Sequence, residues 1–303
     1  MKQRRLGRSG LRVSRLGLGT QTWGRETSPD EASAQLTAFT EAGGNLVDTS
    51  PLFARGRAQM ILANLLDDVV PRDSLVLSAC SGDFTDADPD SSRRALLIEL
   101  DHTLETLGTD YLDIWQVAGW DPHTPVDELA QTLDYAITSG RVRYAALRDH
   151  RSWQLATVQA RSRGVAATQQ PFSLLDRSAE TDLLPAAEFL GLGFFASMPL
   201  AGGVLTGKYI SGVPKDARAA VDPLMNIDLI DERTNRVVDA VLTAADGLAT
   251  SPLAVALSWA RDHSGVTSAI VGARDAAQLT GALAAESLDL PKAIAAALDD
   301  VSR

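Results

Sequence analysis

Asp48 closes the apolar pair Leu46-Val47, and a Ser50-Pro51 turn follows it. A carboxylate at the end of a short apolar run, just before a loop, is where parallel α/β folds place reacting groups. The plainer role for Asp48 is to open the turn or cap the next helix. Phe53 stands five residues beyond the acid. Comparable positions at the ends of later apolar runs are Cys80, Ala118, Arg148 with Asp149, Gln169 and Ser197. Arg55 and Arg57 lie in the loop after Asp48, where either would neutralise it or polarise a carbonyl. A nucleophilic role for Cys80 lacks a base to activate it, and a lone cysteine commonly serves as a small buried hydrophobe. Trp23, Trp115 and Trp120 are candidates to line an apolar pocket, or equally to pack. His102 and His123 are expected at the surface. His150 and His263 have no metal-ligand spacing, so no metal is expected.

The elements that must position these groups alternate regularly. Residues 5–14 carry a hairpin pattern around Ser9-Gly10, with a first strand following at 15–20. Ala32, Leu36, Phe39 and Ala42 give helical spacing over 29–42, ended by Gly43-Gly44. Strands are then expected at 45–48, 75–80, 112–117, 142–147, 167–172, 193–198 and 266–272. Helices are expected at 57–66, 90–107, 126–138, 152–163, 178–190, 232–248 and 252–263, with two more closing the chain. Eight short apolar strands, each followed by helix, argue for a parallel sheet covered on its outer face. In this length they fit one (β/α)8 TIM barrel over 1–303, with an N-terminal hairpin and extra C-terminal helices. An open doubly wound sheet lacks its Gly-x-Gly-x-x-Gly turn here. The stretch 210–230, with Gly212, Pro214, Asp216 and Pro223, is expected to be a long loop.

Composition narrows the classes of function. Of 303 residues, 45% are hydrophobic and 22% charged, which supports a large core. The net charge of −11, with no Lys/Arg-rich run, disfavours nucleic acid and anionic membrane surfaces as partners. One cysteine rules out an internal disulfide. The start, Met1-Lys2-Gln3-Arg4-Arg5, is basic without an apolar run after it, so no secretory leader and a cytoplasmic address are expected.

Six stretches, in this order and spacing, carry a family resemblance. They are Leu16-Gly17-Leu18-Gly19-Thr20, Asp48-Thr49, and Gly140-Arg141-Val142-Arg143-Tyr144. Then come Phe172-Ser173-Leu174-Leu175-Asp176-Arg177, the run from Pro199-Leu200-Ala201-Gly202-Gly203 to Lys208-Tyr209, and Val271-Gly272-Ala273-Arg274 with Gln278-Leu279. Over nearly its whole length the chain resembles an aldo-keto reductase. That resemblance implies an NADP(H)-binding barrel that reduces aldehydes or ketones. It also implies a catalytic set of Asp, Tyr, Lys and His, whose positions here hold Asp48, Phe53, Cys80 and Ala118. Phe53 has no hydroxyl to donate, Cys80 carries no cation to lower a tyrosine pKa, and Ala118 offers no polar atom.

For the cofactor, the resemblance points to Gly19, Thr20, Gln169, Pro199, Leu200, Gly202, Lys208, Gly272, Arg274 and Gln278. Arg274 and Gln278 match the 2′-phosphate and adenine end, whereas Ala282 replaces the usual Asn. At the nicotinamide end, Ser197 replaces the stacking aromatic and Met198 its neighbouring Ser. Arg148-Asp149 replaces the Ser-Asn pair that holds the carboxamide. An NADP(H)-binding homologue of weak or no catalytic power is therefore expected. Such a homologue would act as a sensor or partner subunit, as the family's potassium-channel beta subunits do. A non-standard NADPH-dependent oxidoreductase of an aldehyde, ketone or quinone is the alternative. The substrate and any protein partner stay open.

Overall fold

Side chains in a strand alternate between faces, so a strand buried on both sides sorts its residues into two sets. The computed structural model, which describes residues 1–82, 89–209 and 231–303, sorts them so. Among the described residues, eight strands close a parallel barrel: β3 (Leu16–Gly19), β4 (Leu46–Thr49), β5 (Val76–Ser81), β6 (Leu112–Ala118), β7 (Val142–Arg148), β8 (Val165–Pro171), β9 (Gly193–Ser197) and β10 (Ser268–Val271). Each pairs with the next, and β10 returns to β3. The fold is the (β/α)8 barrel that the alternation predicts.

One set, Val47, Leu77, Trp115, Val117, Ala145, Leu147 and Ala196, packs outward with the helices. The other, Leu46, Val76, Ile114, Ala146, Ala167, Phe195 and Ile270, forms a separate apolar cluster in the lumen. Leu6 and Val13 join that cluster from a two-stranded antiparallel hairpin, β1 (Gln3–Arg5) and β2 (Arg12–Ser14). The hairpin thus closes the N-terminal end of the barrel. Its strands sit further from the Ser9-Gly10 turn than the pattern predicts, because Leu6 N donates to Leu11 O at 2.8 Å and makes the whole of 6–11 the connection.

Helices cover the outside. Pro29–Glu41 starts where the Ser28 hydroxyl accepts from Glu31 N, with proline in the first turn, and buries Ala32, Leu36 and Phe39. Arg93–Leu107 begins later than predicted because Ser92 caps it through Ala95 N. The predicted helix at 178–190 is a short turn, Ser178–Glu180, followed by Leu183–Leu190. Pro185 lacks the N–H that an interior turn requires, so the helix starts just ahead of it. The helices Glu232–Gly247, Pro252–Asp262, Ala276–Leu283 and Lys292–Ser302 complete the chain. Among the described residues no single helix is long and apolar enough to cross a membrane. The expected loop at 210–230 lies outside the described residues.

Candidate active site and nucleotide cavity

Two residues further along each inward set, the lumen turns polar. Asp48 of β4, Ser78 of β5, Gln116 of β6 and Gln169 of β8 form one buried layer. The Ser78 hydroxyl and Gln116 Nε2 donate to Asp48 Oδ1 at 3.0 and 2.8 Å. Gln169 Nε2 reaches Asp48 Oδ2 at 3.4 Å, and Gln116 Nε2 also donates to Gln169 Oε1 at 2.9 Å. Neighbouring strands deliver these groups in register, with Gly19 beside Asp48 and Asp48 beside Ser78.

Arg148, the last residue of β7, lies above this layer. Its Nη1 is 3.7 Å from Asp48 Oδ2, and its Nε is 3.4 Å from Asp149 Oδ2. This corrects the expectation that Arg55 or Arg57 would partner Asp48. Both are exposed, and Arg57 Nε donates instead to Ala54 O at 3.2 Å. Sequence distance concealed Arg148, because the barrel brings β7 to β4 across its lumen rather than along the chain. The available signal was its place at the end of a predicted strand.

Room for the guanidinium comes from small neighbours. Ala118 is its partner on β6, and Cys80, two residues beyond Ser78 on β5, shares the same end of the lumen. Arg148 and Cys80 interact electrostatically. Burial pushes the Cys80 thiol up to about 12, with only partial relief from Arg148. A thiol so held is protonated and is no nucleophile at neutral pH. Burial also raises the Asp48 carboxyl, against Arg148 and the three hydrogen-bond donors. The Arg148 guanidinium is held above its usual range: burial disfavours its charge, but the neighbouring acids Asp48 and Asp149 outweigh that effect.

A cavity of about 410 Å³ opens above this layer and runs to the rim. Asp48, Phe53, Arg148, Gln169 and Ser197 line its inner end. Met198, Pro199, Leu200, Gly202, Gly203 and Lys208 continue along the turn after β9, and Gly272, Arg274, Gln278 and Ala282 complete the other end. Gly202 and Gly203 have φ of 65° and 93°, a backbone region that disfavours larger residues. Arg274 N donates to Gln278 Oε1 at 3.2 Å, which ties the two candidate residues together.

Of the residues singled out for the cofactor, Thr20 alone is off this wall. It is buried, with its N–H and hydroxyl turned to Asp48 O and Thr49 Oγ1 of β4. Cys80 and Ala118 are likewise buried and do not line the cavity. Nor do Trp23, Trp115 and Trp120. Trp23 and Trp115 are fully buried, their indole N–H groups donating to Gln35 and Ser81.

The sequence model of the aldo/keto reductase family matches residues 15–303. The chain belongs to that family. A probable voltage-gated potassium channel subunit beta of Oryza sativa subsp. japonica is 32% identical over 287 residues, covering 90% of this chain and 87% of the relative. An uncharacterized oxidoreductase, YrpG, of Bacillus subtilis (strain 168) is 30% identical over 313 residues, covering 98% and 94%. A probable voltage-gated potassium channel subunit beta of Arabidopsis thaliana is 28% identical over 293 residues, covering 92% and 89%. Aldo/keto reductases generally use NAD(P)H. In this aldo/keto reductase the inner cavity presents a carboxylate, a guanidinium, a carboxamide and a phenyl ring to whatever enters it.

Proposed function

We propose that this chain binds NADP(H) along the cavity, with the adenosine end at Arg274 and Gln278, and reduces carbonyls weakly or not at all. The supporting observation is the single cavity joining Arg274 and Gln278, past Leu200, Gly202 and Lys208, to Asp48 and Phe53. A forked guanidinium suits phosphate oxygens, and the glycine turn lets backbone N–H groups approach a pyrophosphate. At the inner end, Phe53 cannot protonate a nascent alkoxide. General acid catalysis contributes roughly 10²–10⁴-fold, so a residue without a proton to give forfeits much of the usual rate. The likeness to probable channel beta subunits supports action by association with a partner protein.

Quenching of tryptophan fluorescence on NADPH titration, followed by NADPH oxidation assays over aldehydes, ketones and quinones, tests this function. Saturable binding without turnover is expected. Failure to bind would overturn it. The second reading, a non-standard NADPH-dependent reduction, draws support from Arg148, a cation able to polarise a carbonyl oxygen, and from the likeness to YrpG. Turnover well above the protein-free rate would select that reading.

A further inference from the structure

We infer that this chain recognises only the phosphorylated adenosine diphosphate part of its nucleotide, so that the oxidised form, the reduced form and the form lacking a nicotinamide bind equally. This inference rests on the nucleotide reading above, and deepens it by naming the part of the ligand that is read.

The two ends of the cavity differ in what their polar groups already hold. At the inner end the groups hold one another. Gln169 gives Nε2 to Asp48 Oδ2 at 3.4 Å, and its Oε1 accepts from Gln116 at 2.9 Å. Asp48 also accepts from Ser78 and Gln116. Arg148 meets Asp48 through Nη1 at 3.7 Å and Asp149 through Nε at 3.4 Å. A carboxamide entering there exchanges contacts rather than adding them, and an exchange gains little. Ser197 has no ring on which a nicotinamide could stack, and Phe53 leaves only 7% of its surface exposed.

The outer end is built the other way. Lys208 Nζ lies 4.9 Å from the Tyr209 ring centroid, and among the described residues it pairs with no carboxylate. Its three N–H donors therefore remain for an anion. A Cβ at position 203 would stand 2.8 Å from that Nζ, so the glycine keeps room for the ammonium. Ala201, Gly202 and Gly203 are successively left-handed, with φ of 47°, 65° and 93°. Such a curled turn lets backbone N–H groups face an anion. Arg274 and Gln278 stand further along the same wall.

A binding protein can report a redox ratio only through a difference in affinity between the two forms. With the grip confined to the tail, this chain would report the amount of phosphorylated dinucleotide, whatever its redox state.

Isothermal titration with NADPH, NADP⁺ and 2′-phospho-ADP-ribose tests the inference. The three dissociation constants are expected to agree within about fivefold. Lys208→Ala should weaken all three by a common factor of about tenfold. Arg148→Ser, which frees the inner end, should leave 2′-phospho-ADP-ribose affinity unchanged, a sign that the variant is folded, and make both dinucleotides bind more tightly than it. A wider spread among the three ligands on the unaltered protein would overturn this inference and leave the nucleotide reading standing. Failure of all three to bind would instead overturn the nucleotide reading itself.

Discussion

The Arg148 guanidinium stands 3.7 Å from the Asp48 carboxylate, carried there by β7 over an end of the lumen where the small side chains of Cys80 and Ala118 leave it room. Resemblance assigns a lysine to the position of Cys80 on β5. The buried acid nevertheless has a cation beside it, supplied from a different strand. The physical requirement persists because a carboxylate in this layer is costly without compensation.

Arg148→Met should destabilise the protein by about 3 kcal/mol, the scale for orphaning one member of a buried pair. The three donors from Ser78, Gln116 and Gln169 keep the loss from rising further. Urea denaturation at neutral pH measures it. In a cycle with Asp48→Asn, the double variant should lose less than the sum by at least roughly 1 kcal/mol. Strict additivity would show that the pair is not coupled.

His150 gives the fold a pH dependence of defined sign. It is buried, its Nδ1 donates to Arg148 O at 2.8 Å, and Nε2 has no hydrogen-bond partner among the described residues. Burial lowers its pKa from 6.5 to about 4. The unfolded chain therefore binds more protons between those values. Stability is fully present above 6.5 and falls as pH drops toward 4, by about 3 kcal/mol from this group. Chemical denaturation across pH 7 to 4 should show that slope, reduced in His150→Gln. An unchanged slope would remove His150 as its source.

Cys80 should resist alkylation. Its thiol is fully buried and pushed up to about 12, so both access and thiolate are lacking. Maleimide labelling of the native protein should be slower than that of the urea-unfolded chain by orders of magnitude. Prompt stoichiometric labelling of native protein would contradict the buried placement.

Rebuilding the family's catalytic set should require a fourth change. Phe53→Tyr alone restores almost no activity, since no lysine activates the hydroxyl. Adding Cys80→Lys and Ala118→His forces two large side chains into the end of the lumen that Arg148 already occupies. The triple variant is expected to be destabilised and inactive. Including Arg148→Ser should recover measurable aldehyde-dependent NADPH oxidation. Activity in the triple variant as high as in the quadruple one would show that Arg148 obstructs nothing.

The barrel was legible because its cause is local. Short apolar strands alternating with helical stretches force covered parallel pairing, and within a strand residues two apart share the lumen face. Departures came where a single residue decided a boundary, as with Pro185 and the Ser92 cap. The cavity residues were legible for another reason: the turn at Gly202-Gly203 and the run from Gly272 to Gln278 are contiguous in sequence.

The partner of Asp48 was not legible. Arg55 and Arg57 are near in sequence, but they follow a turn that leads outward to solvent. Arg148 is a hundred residues away and faces the acid across the barrel. By itself, the sequence determined the barrel, the acid at the end of β4 and the absence of a hydroxyl at position 53. Tertiary structure alone decided which cation meets that acid, and that Thr20, Cys80 and Ala118 stand off the cavity wall. Closure of the sheet sets those relationships, because it converts strand order into distances across the lumen.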